Sequence, residues 1–160
     1  MLEPPRPSGR VTGPAATDQA PVAPPAGDTD AGTGQTRGMR PLDIHHVSIN
    51  VPDVGEAVAF YTGTLGGTRR ADRPDFGFDG AWIDLGGSQV HLLGATTPPA
   101  LGQHFAIRVA DLDAVVAELR DGGTDVADPT AVGPGRQTFL TDPAGNTVEL
   151  YELVDDAPAP

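Results

Sequence analysis

Four side chains of metal-binding types recur at matched positions in this 160-residue chain. His46 in HHVSINV and His104 in HFAIRV lie 58 residues apart, and the same offset carries His91 in QVHLL onto Glu149 in TVELY. A lone histidine on a strand is usually only a hydrogen-bonded or exposed residue. Four ligand types at repeat-equivalent positions instead predict one bound divalent ion, and imidazole plus carboxylate suits Fe, Mn, Co, Ni or Zn.

The offset of 58 extends beyond these residues and defines an internal repeat, with the segment from His45 matching the segment from Gln103. Each copy reads as a strand, a helix that follows an aspartate N-cap, a short strand and a final hairpin. The first helix is expected to end at Gly66-Gly67, and the short strands are expected near residues 68–71 and 124–127. The predicted fold class is α+β, with two tandem β-α-β-β-β units forming a concave half-barrel sheet and the helices outside.

Alternation along the strands places the four ligand candidates on one face of the predicted sheet. In the first strand the apolar residues Val47, Ile49 and Val51 alternate with His46, and the other ligand strands alternate in the same way. The apolar sets must pack under the amphipathic helices, so the opposite face carries the ligand types. His45 is expected to point to the apolar side or the sheet end and is not predicted as a ligand.

Composition separates a folded part from two tails. Residues 1–38 are mostly Pro, Gly, Ala, Thr and Asp and cannot bury a core, so a disordered tail is predicted there. Translation from Met39 is the alternative, which would make this tail a start-site artefact. The folded domain is predicted over 39–154, with units at about 42–95 and 102–153, and residues 155–160 are predicted to fray.

Charge and composition exclude several function classes. The chain has no cysteine, which excludes disulfides, thiolate zinc sites and cysteine nucleophiles. A net charge of -12 opposes binding to nucleic acid or to an anionic membrane surface. No apolar run approaches the roughly 20 residues of a membrane span, and no signal peptide is visible, so a cytoplasmic location is predicted.

The segments that carry the repeat resemble the vicinal-oxygen-chelate superfamily, over about residues 42–153. They are HHVSINVPDVGEAVAFYTGTLGG, HFAIRVADLDAVVAELRDGG and FLTDPAGNTVELYE. That superfamily includes glyoxalase I, methylmalonyl-CoA epimerase, type I extradiol dioxygenases, fosfomycin-resistance transferases and bleomycin-binding proteins. Its metal ligands lie on the first and last strand of each unit, which here are His46, His91, His104 and Glu149. Glyoxalase-like members usually have Glu or Gln at the position of His91, so the resemblance does not specify the reaction.

The resemblance implies a metal-dependent, glyoxalase-like enzyme, whether a lyase, an isomerase or a dioxygenase. Its small substrate would chelate the metal through neighbouring oxygens. Glu149 is the first candidate for the catalytic base as well as a metal ligand. Asn50 and Arg108 fall on the same face and are candidates for substrate binding, although exposed strand ends are often polar without a function.

A second function remains open, namely sequestration of a small molecule or drug without catalysis, as in bleomycin-resistance proteins. The acidic surface would suit a cationic ligand in that case. Phe76, Phe78 and Trp82 either wall the ligand pocket or serve ordinary packing. Members of the superfamily often pair two chains, so a homodimer is expected, and whether the metal ligands cross its interface is left open.

Overall fold

The computed structural model describes residues 40–154. The chain divides into two parts, residues 1–40 and 41–160, and the description below concerns the second part. The tail predicted for residues 1–38, the alternative start at Met39 and the frayed end predicted for 155–160 lie outside the described residues. Within residues 40–154, no helix has the length and apolar character needed to cross a membrane.

The described residues form two copies of a β-α-β-β-β unit, which confirms the fold class predicted from the repeat. The first unit consists of β1 (His46–Val51), α1 (Val54–Ala59), β2 (Thr68–Arg69), β3 (Gly80–Leu85) and β4 (Ser88–Gly94). The second consists of β5 (His104–Arg108), α2 (Leu112–Asp121), β6 (Thr130–Val132), β7 (Gly135–Thr141) and β8 (Thr147–Leu153).

Each unit contributes one open, four-stranded mixed sheet. The strand orders are β1-β4-β3-β2 and β5-β8-β7-β6. β1 pairs in parallel with β4, and β5 pairs in parallel with β8. The remaining neighbours are antiparallel. β1 and β5 are therefore edge strands, and among the described residues no strand pairing joins the two sheets.

The strand register shows where the repeat is regular and where it shifts. Ser48 pairs with His91 and Ala106 pairs with Glu149, so the offset of 58 holds for β1–β4 against β5–β8. In the antiparallel hairpins Trp82 lies opposite His91, whereas Phe139 lies opposite Glu149. The offset in β7 is thus one residue short of 58, and Phe139 rather than Leu140 is the structural counterpart of Trp82.

Both helices begin at the predicted aspartate caps. Asp53 and Asp111 adopt extended backbone conformations, and their side chains accept hydrogen bonds from the amides of Glu56 and Ala114. After Ala59 the first helix continues as a π-helical turn, Phe60–Thr64, which the helical periodicity did not predict. Tyr61 lies in this wider turn and is fully buried.

The short strand of the second unit lies later than predicted. It was expected near residues 124–127, but β6 runs from Thr130 to Val132, and Val126 makes only an isolated bridge to Leu140. The predicted segment still contacts β7, since the Ala127 amide donates to the carbonyl of Phe139, while the carbonyl of Val126 accepts from the Arg120 guanidinium. The short strand of the first unit, Thr68–Arg69, falls within its predicted range.

Each unit buries its own apolar core between its sheet and its helix. Val47, Ile49 and Val51 all belong to or pack against the first core, as strand alternation predicts. Leu112, Val116 and Leu119 of α2 contribute to the second core. Phe60, Leu65 and Phe105 pack against both cores, so the two units are in apolar contact.

Candidate functional site

Two of the predicted ligands come together in the first unit. His46 on β1 and His91 on β4 stack with ring centroids 4.1 Å apart and planes 10° from parallel. Trp82, opposite His91 on β3, stacks on the other side of that ring at 4.7 Å and 16°. Because the neighbouring strand residues Val47, Val90 and Leu92 belong to the core, these rings lie on the opposite face of the sheet.

The hydrogen bonds of these imidazoles leave one nitrogen of each available. His46 Nδ1 lies 3.0 Å from His45 Nδ1, and His91 Nε2 lies 3.0 Å from Gln89 Oε1. Among the described residues, His46 Nε2 and His91 Nδ1 thus have no hydrogen-bond partner. Burial first, and then the neighbouring charges of His46 and His45, hold the pKa of His91 below its usual value, which favours the neutral, metal-binding form.

The other two predicted ligands come together in the second unit. His104 Nε2 on β5 lies 3.0 Å from Glu149 Oε2 on β8, and Glu149 is only 8% exposed. His104 Nδ1 lies 2.8 Å from the carbonyl of Gly102, which can only accept, so Nδ1 carries the proton. In a neutral His104, the lone pair of Nε2 would then point at a lone pair of Glu149 Oε2, and the two would repel each other. Either a second proton or a metal cation must stand between these two atoms.

The His104–Glu149 geometry fits a shared metal ion. Ligands on adjacent positions of one ion, with bonds of about 2.1 Å at right angles, stand about 3.0 Å apart. The carbonyl of Gly102 would accept a hydrogen bond from Nδ1 and so orient the His104 ring with Nε2 facing the ion. The outer partners of ligating histidines act in the same way.

The structure does not bring the four predicted ligands together at one place in the fold. Within residues 40–154, no group of three or more His, Asp or Glu side chains is placed to hold a metal ion. His46 and His91 form one pair on the first sheet, and His104 and Glu149 form the other on the second sheet. We call these pairs the first and second half-sites.

The two predicted substrate-binding residues lie near the half-sites. Asn50 is half-buried on β1, and its side-chain amide donates to the carbonyl of Thr96 at 3.1 Å, so the amide already has a structural contact. Arg108 is exposed on β5, and together with His104 and residues of both sheets it lines a cleft of about 710 Å³.

A buried hydrogen-bond network that the sequence analysis did not identify joins the two units; we call it the Asp142 bracket. Tyr61 OH donates to Asp142 Oδ2 at 3.1 Å, and both residues are almost fully buried. Asp142 also accepts from the amides of Ala144 and Asn146, while Asn146 Nδ2 donates to the carbonyl of Asn50 at 3.1 Å. The bracket therefore ties the β7–β8 turn of the second unit to β1, which carries His46.

A row of neighbouring rings runs from the segment between β2 and β3 to the first half-site. Beyond Trp82, the ring of Phe76 lies 6.2 Å away, and the Phe78 ring stacks on Phe76 at 5.8 Å. We call this set the aromatic row: Phe78, Phe76, Trp82, His91 and His46. The second sheet offers less, since His104 has only an edge contact with Phe139 at 5.5 Å.

Solved structures similar to this chain share its fold over nearly their whole length. A protein from Bacillus anthracis, described as belonging to the glyoxalase family, is 30% identical with a TM-score of 0.64, and the match covers 72% of this chain and 99% of that one. TnmS3, an antibiotic binding protein from Streptomyces sp. CB03234, is 28% identical with a TM-score of 0.63 and the same coverage. Lactoylglutathione lyase from Agrobacterium tumefaciens is 19% identical, with a TM-score of 0.59 over 71% of this chain and 96% of that one, which shows the fold alone.

A search of curated proteins finds no significant match. A family model covers residues 43–150, which is most of the described part of the chain, and its family is the Glyoxalase/Bleomycin resistance protein/Dioxygenase superfamily. The paired β-α-β-β-β units agree with this match. The chain therefore belongs to the glyoxalase/bleomycin resistance protein/dioxygenase superfamily.

Proposed function

We propose that this protein is a metal-dependent enzyme of its superfamily, acting on a small substrate that chelates a divalent ion through neighbouring oxygens. The ion would be held by His46, His91, His104 and Glu149, with Fe, Mn, Co, Ni and Zn all compatible with these donors. The observation that carries the proposal is the 3.0 Å approach of His104 Nε2 to the buried Glu149 Oε2. Glu149 is a buried carboxylate, and its polar partner among the described residues is the His104 imidazole. This is the environment expected of a metal ligand.

The separation of the half-sites supports a site shared between two copies of the chain. A two-fold dimer would bring the first half-site of one copy against the second half-site of its partner, and symmetry would then create two equal sites. Each site would have three imidazoles and one carboxylate. The homodimer and the shared ligands are parts of the proposal, and they account for the lack of a complete ligand set within residues 40–154.

The residues of the chain would have distinct roles around the ion. The ion itself supplies Lewis acidity toward the substrate oxygens. Glu149 Oε1, the carboxylate oxygen not facing His104, is the atom available to accept or return a substrate proton. Arg108 lies on the same strand as His104 and would orient a substrate in the adjoining cleft. Asn50 would do so from β1, provided that its amide leaves Thr96.

Calorimetric titration of the anaerobic protein with Fe(II), Mn, Co, Ni and Zn tests the proposal. We expect one tight site per chain in the parent and at least a tenfold loss of affinity in His46→Ala and Glu149→Ala, which remove one ligand from each half-site. Glu118→Ala is the matched control, because Glu118 is exposed on α2. Hemithioacetals and catechols are then the first substrates to screen. Absence of tight binding by all five metals would contradict a metal-dependent enzyme.

Sequestration of a small molecule without catalysis is the second candidate function. The aromatic row favours it, since Phe76 and Phe78 at its outer end are half exposed and offer apolar surface to a ligand whether or not a metal is bound. The similarity to the antibiotic binding protein TnmS3 is in keeping with this candidate. It would replace the first if the protein bound a small molecule tightly, bound no metal and left that molecule unchanged.

A further inference from the structure

His45 stands immediately before β1 and contacts the candidate ligand His46. Its side chain is exposed, but its backbone is fixed, because its carbonyl accepts a hydrogen bond from the amide of Gln89 at 3.0 Å. The preceding carbonyl, of Ile44, accepts from the Ser88 hydroxyl at 2.8 Å. The start of β4 therefore holds the segment that carries His45.

The imidazoles of His45 and His46 contact each other, although consecutive residues within a strand point to opposite sides. Their Nδ1 atoms are 3.0 Å apart, and the rings meet edge-on, with centroids 5.3 Å apart and planes at 89°. The contact is possible because β1 begins only at His46, so His45 does not follow the alternation of the strand. A nitrogen–nitrogen distance of 3.0 Å is that of a hydrogen bond.

A hydrogen bond between two imidazoles requires one donor and one acceptor. In a neutral imidazole one ring nitrogen carries the proton and the other holds a lone pair. If His45 donates, His46 carries its own proton on Nε2 and has no free lone pair left for a cation. If His46 donates, its Nε2 keeps a lone pair, and among residues 40–154 that nitrogen has no hydrogen-bond partner.

Stacking on His91 limits the surface that the His46 ring offers to a ligand. The two ring planes are 10° from parallel, with centroids 4.1 Å apart, so His91 covers one face of the ring. The contact with His45 occupies Nδ1. Nε2 is therefore the polar atom of the His46 ring that remains open to a ligand.

We propose that His45 is a positioning residue for His46: its Nδ1 accepts the Nδ1 proton of His46, so that the lone pair of His46 Nε2 faces the divalent ion. Ligating histidines generally donate their other ring N–H to an acceptor that fixes the tautomer and the ring orientation. The carbonyl of Gly102 takes this place for His104, and an imidazole takes it for His46. The role in metal binding rests on the proposed function, whereas the hydrogen bond between the imidazoles does not need a metal.

Nuclear magnetic resonance of the isotope-labelled full chain tests this hydrogen bond directly. Because both atoms are nitrogens, we expect a nitrogen–nitrogen scalar coupling between His45 Nδ1 and His46 Nδ1 in the metal-free protein. In the protein loaded with zinc, which is diamagnetic, the coupling should remain, with the proton on His46 Nδ1 and the ion on His46 Nε2. Absence of the coupling from both samples would overturn the inference, as would a zinc-loaded protein in which His45 carries the shared proton or binds the ion.

Two substitutions separate the acceptor of His45 from its bulk. His45→Leu keeps apolar volume but has no acceptor, and its metal affinity in calorimetry should fall about tenfold, the low end for loss of an outer partner of a ligating histidine. His45→Asn has an amide oxygen at the same number of bonds from Cβ as Nδ1, so its affinity should stay within about threefold of the parent. Leu42→Ala alters a 98% exposed side chain in the same segment and should leave the affinity unchanged.

Unchanged metal affinity in His45→Leu, or an equal loss in His45→Leu and His45→Asn, would also contradict the role of His45. In that case the parent would still bind metal, and the proposed function would stand. Absence of metal binding by the parent would overturn the proposed function, and with it the role of His45, even with the coupling present. The two failures are therefore seen in different measurements.

Discussion

Tyr61→Phe tests whether the Asp142 bracket holds the two units together. The substitution removes one hydroxyl from a fully buried side chain and leaves the ring in the first core. The hydroxyl donates to Asp142 Oδ2 at 3.1 Å, and in the variant that oxygen keeps only its 2.9 Å contact with Asn146 Nδ2. The other carboxylate oxygen keeps its two backbone amides.

The expected loss follows from the charge and burial of the acceptor. A hydrogen bond to a charged group contributes about 1.5–3 kcal/mol, roughly twice a neutral one. Asp142 is 3% exposed, so water cannot readily replace the lost donor. We therefore expect the free energy of unfolding to fall by about 1.5–3 kcal/mol, less than truncation to alanine would cause, since the ring remains.

Urea unfolding followed by far-UV circular dichroism measures this change, with Tyr151→Phe as the matched control. Tyr151 is the chain's other tyrosine, is half-buried, and its hydroxyl makes no hydrogen bond to the described residues. Its variant should stay within about 0.5 kcal/mol of the parent. Equal losses in the two variants, or a loss below about 0.5 kcal/mol in Tyr61→Phe, would refute a stabilising role for the bracket.

Three further predictions concern pH and backbone packing. Burial and then the charge of Asp142 raise the pKa of Tyr61 well above its ordinary value of 10.0, so the folded state keeps a proton that the unfolded state releases. Stability should fall as pH rises above about 10, and less steeply in Tyr61→Phe when alkaline unfolding is compared. The pKa of His91 is lowered from 6.5, so the unfolded state binds its proton more readily than the folded state. The free energy of unfolding of the metal-free protein should therefore fall below about pH 6.5. In urea titrations at several pH values, the His91→Gln variant should lose less of this free energy as the pH falls. Gly80→Ala places a Cβ against the carbonyl of Leu92 and should cost about 1–3 kcal/mol in thermal unfolding, whereas Gly87→Ala, with open space, should cost much less.

The sequence predicted the fold well because its signals are local and repeated. Strand alternation at Val47, Ile49 and Val51 identified the core face, and Asp53 and Asp111 identified both helix starts. The position of β6 was predicted wrongly, because a strand of three residues, Thr130–Val132, is too short to carry a periodic signal. The π-helical turn likewise has no signature in the apolar pattern.

The sequence predicts four ligand candidates at one ion, whereas the structure groups them in two pairs. Alternation places His46, His91, His104 and Glu149 on one kind of face, but it does not say whether two sheets of one chain face each other. The structure shows two half-sites on two open sheets instead. Asp142 carried a signal in its Asp-Pro turn, yet its buried contact with Tyr61, 81 residues earlier, depends on how the units pack.

A mixing experiment with two inactive variants tests the shared metal site most directly. One variant carries His46→Ala and His91→Ala and lacks the first half-site; the other carries His104→Ala and Glu149→Ala and lacks the second. Each alone should bind no metal tightly. After the subunits exchange, half of the dimers are mixed and each has one intact composite site, so about a quarter of the parent's metal binding should return. No recovery after verified exchange would contradict a site shared between copies of this chain.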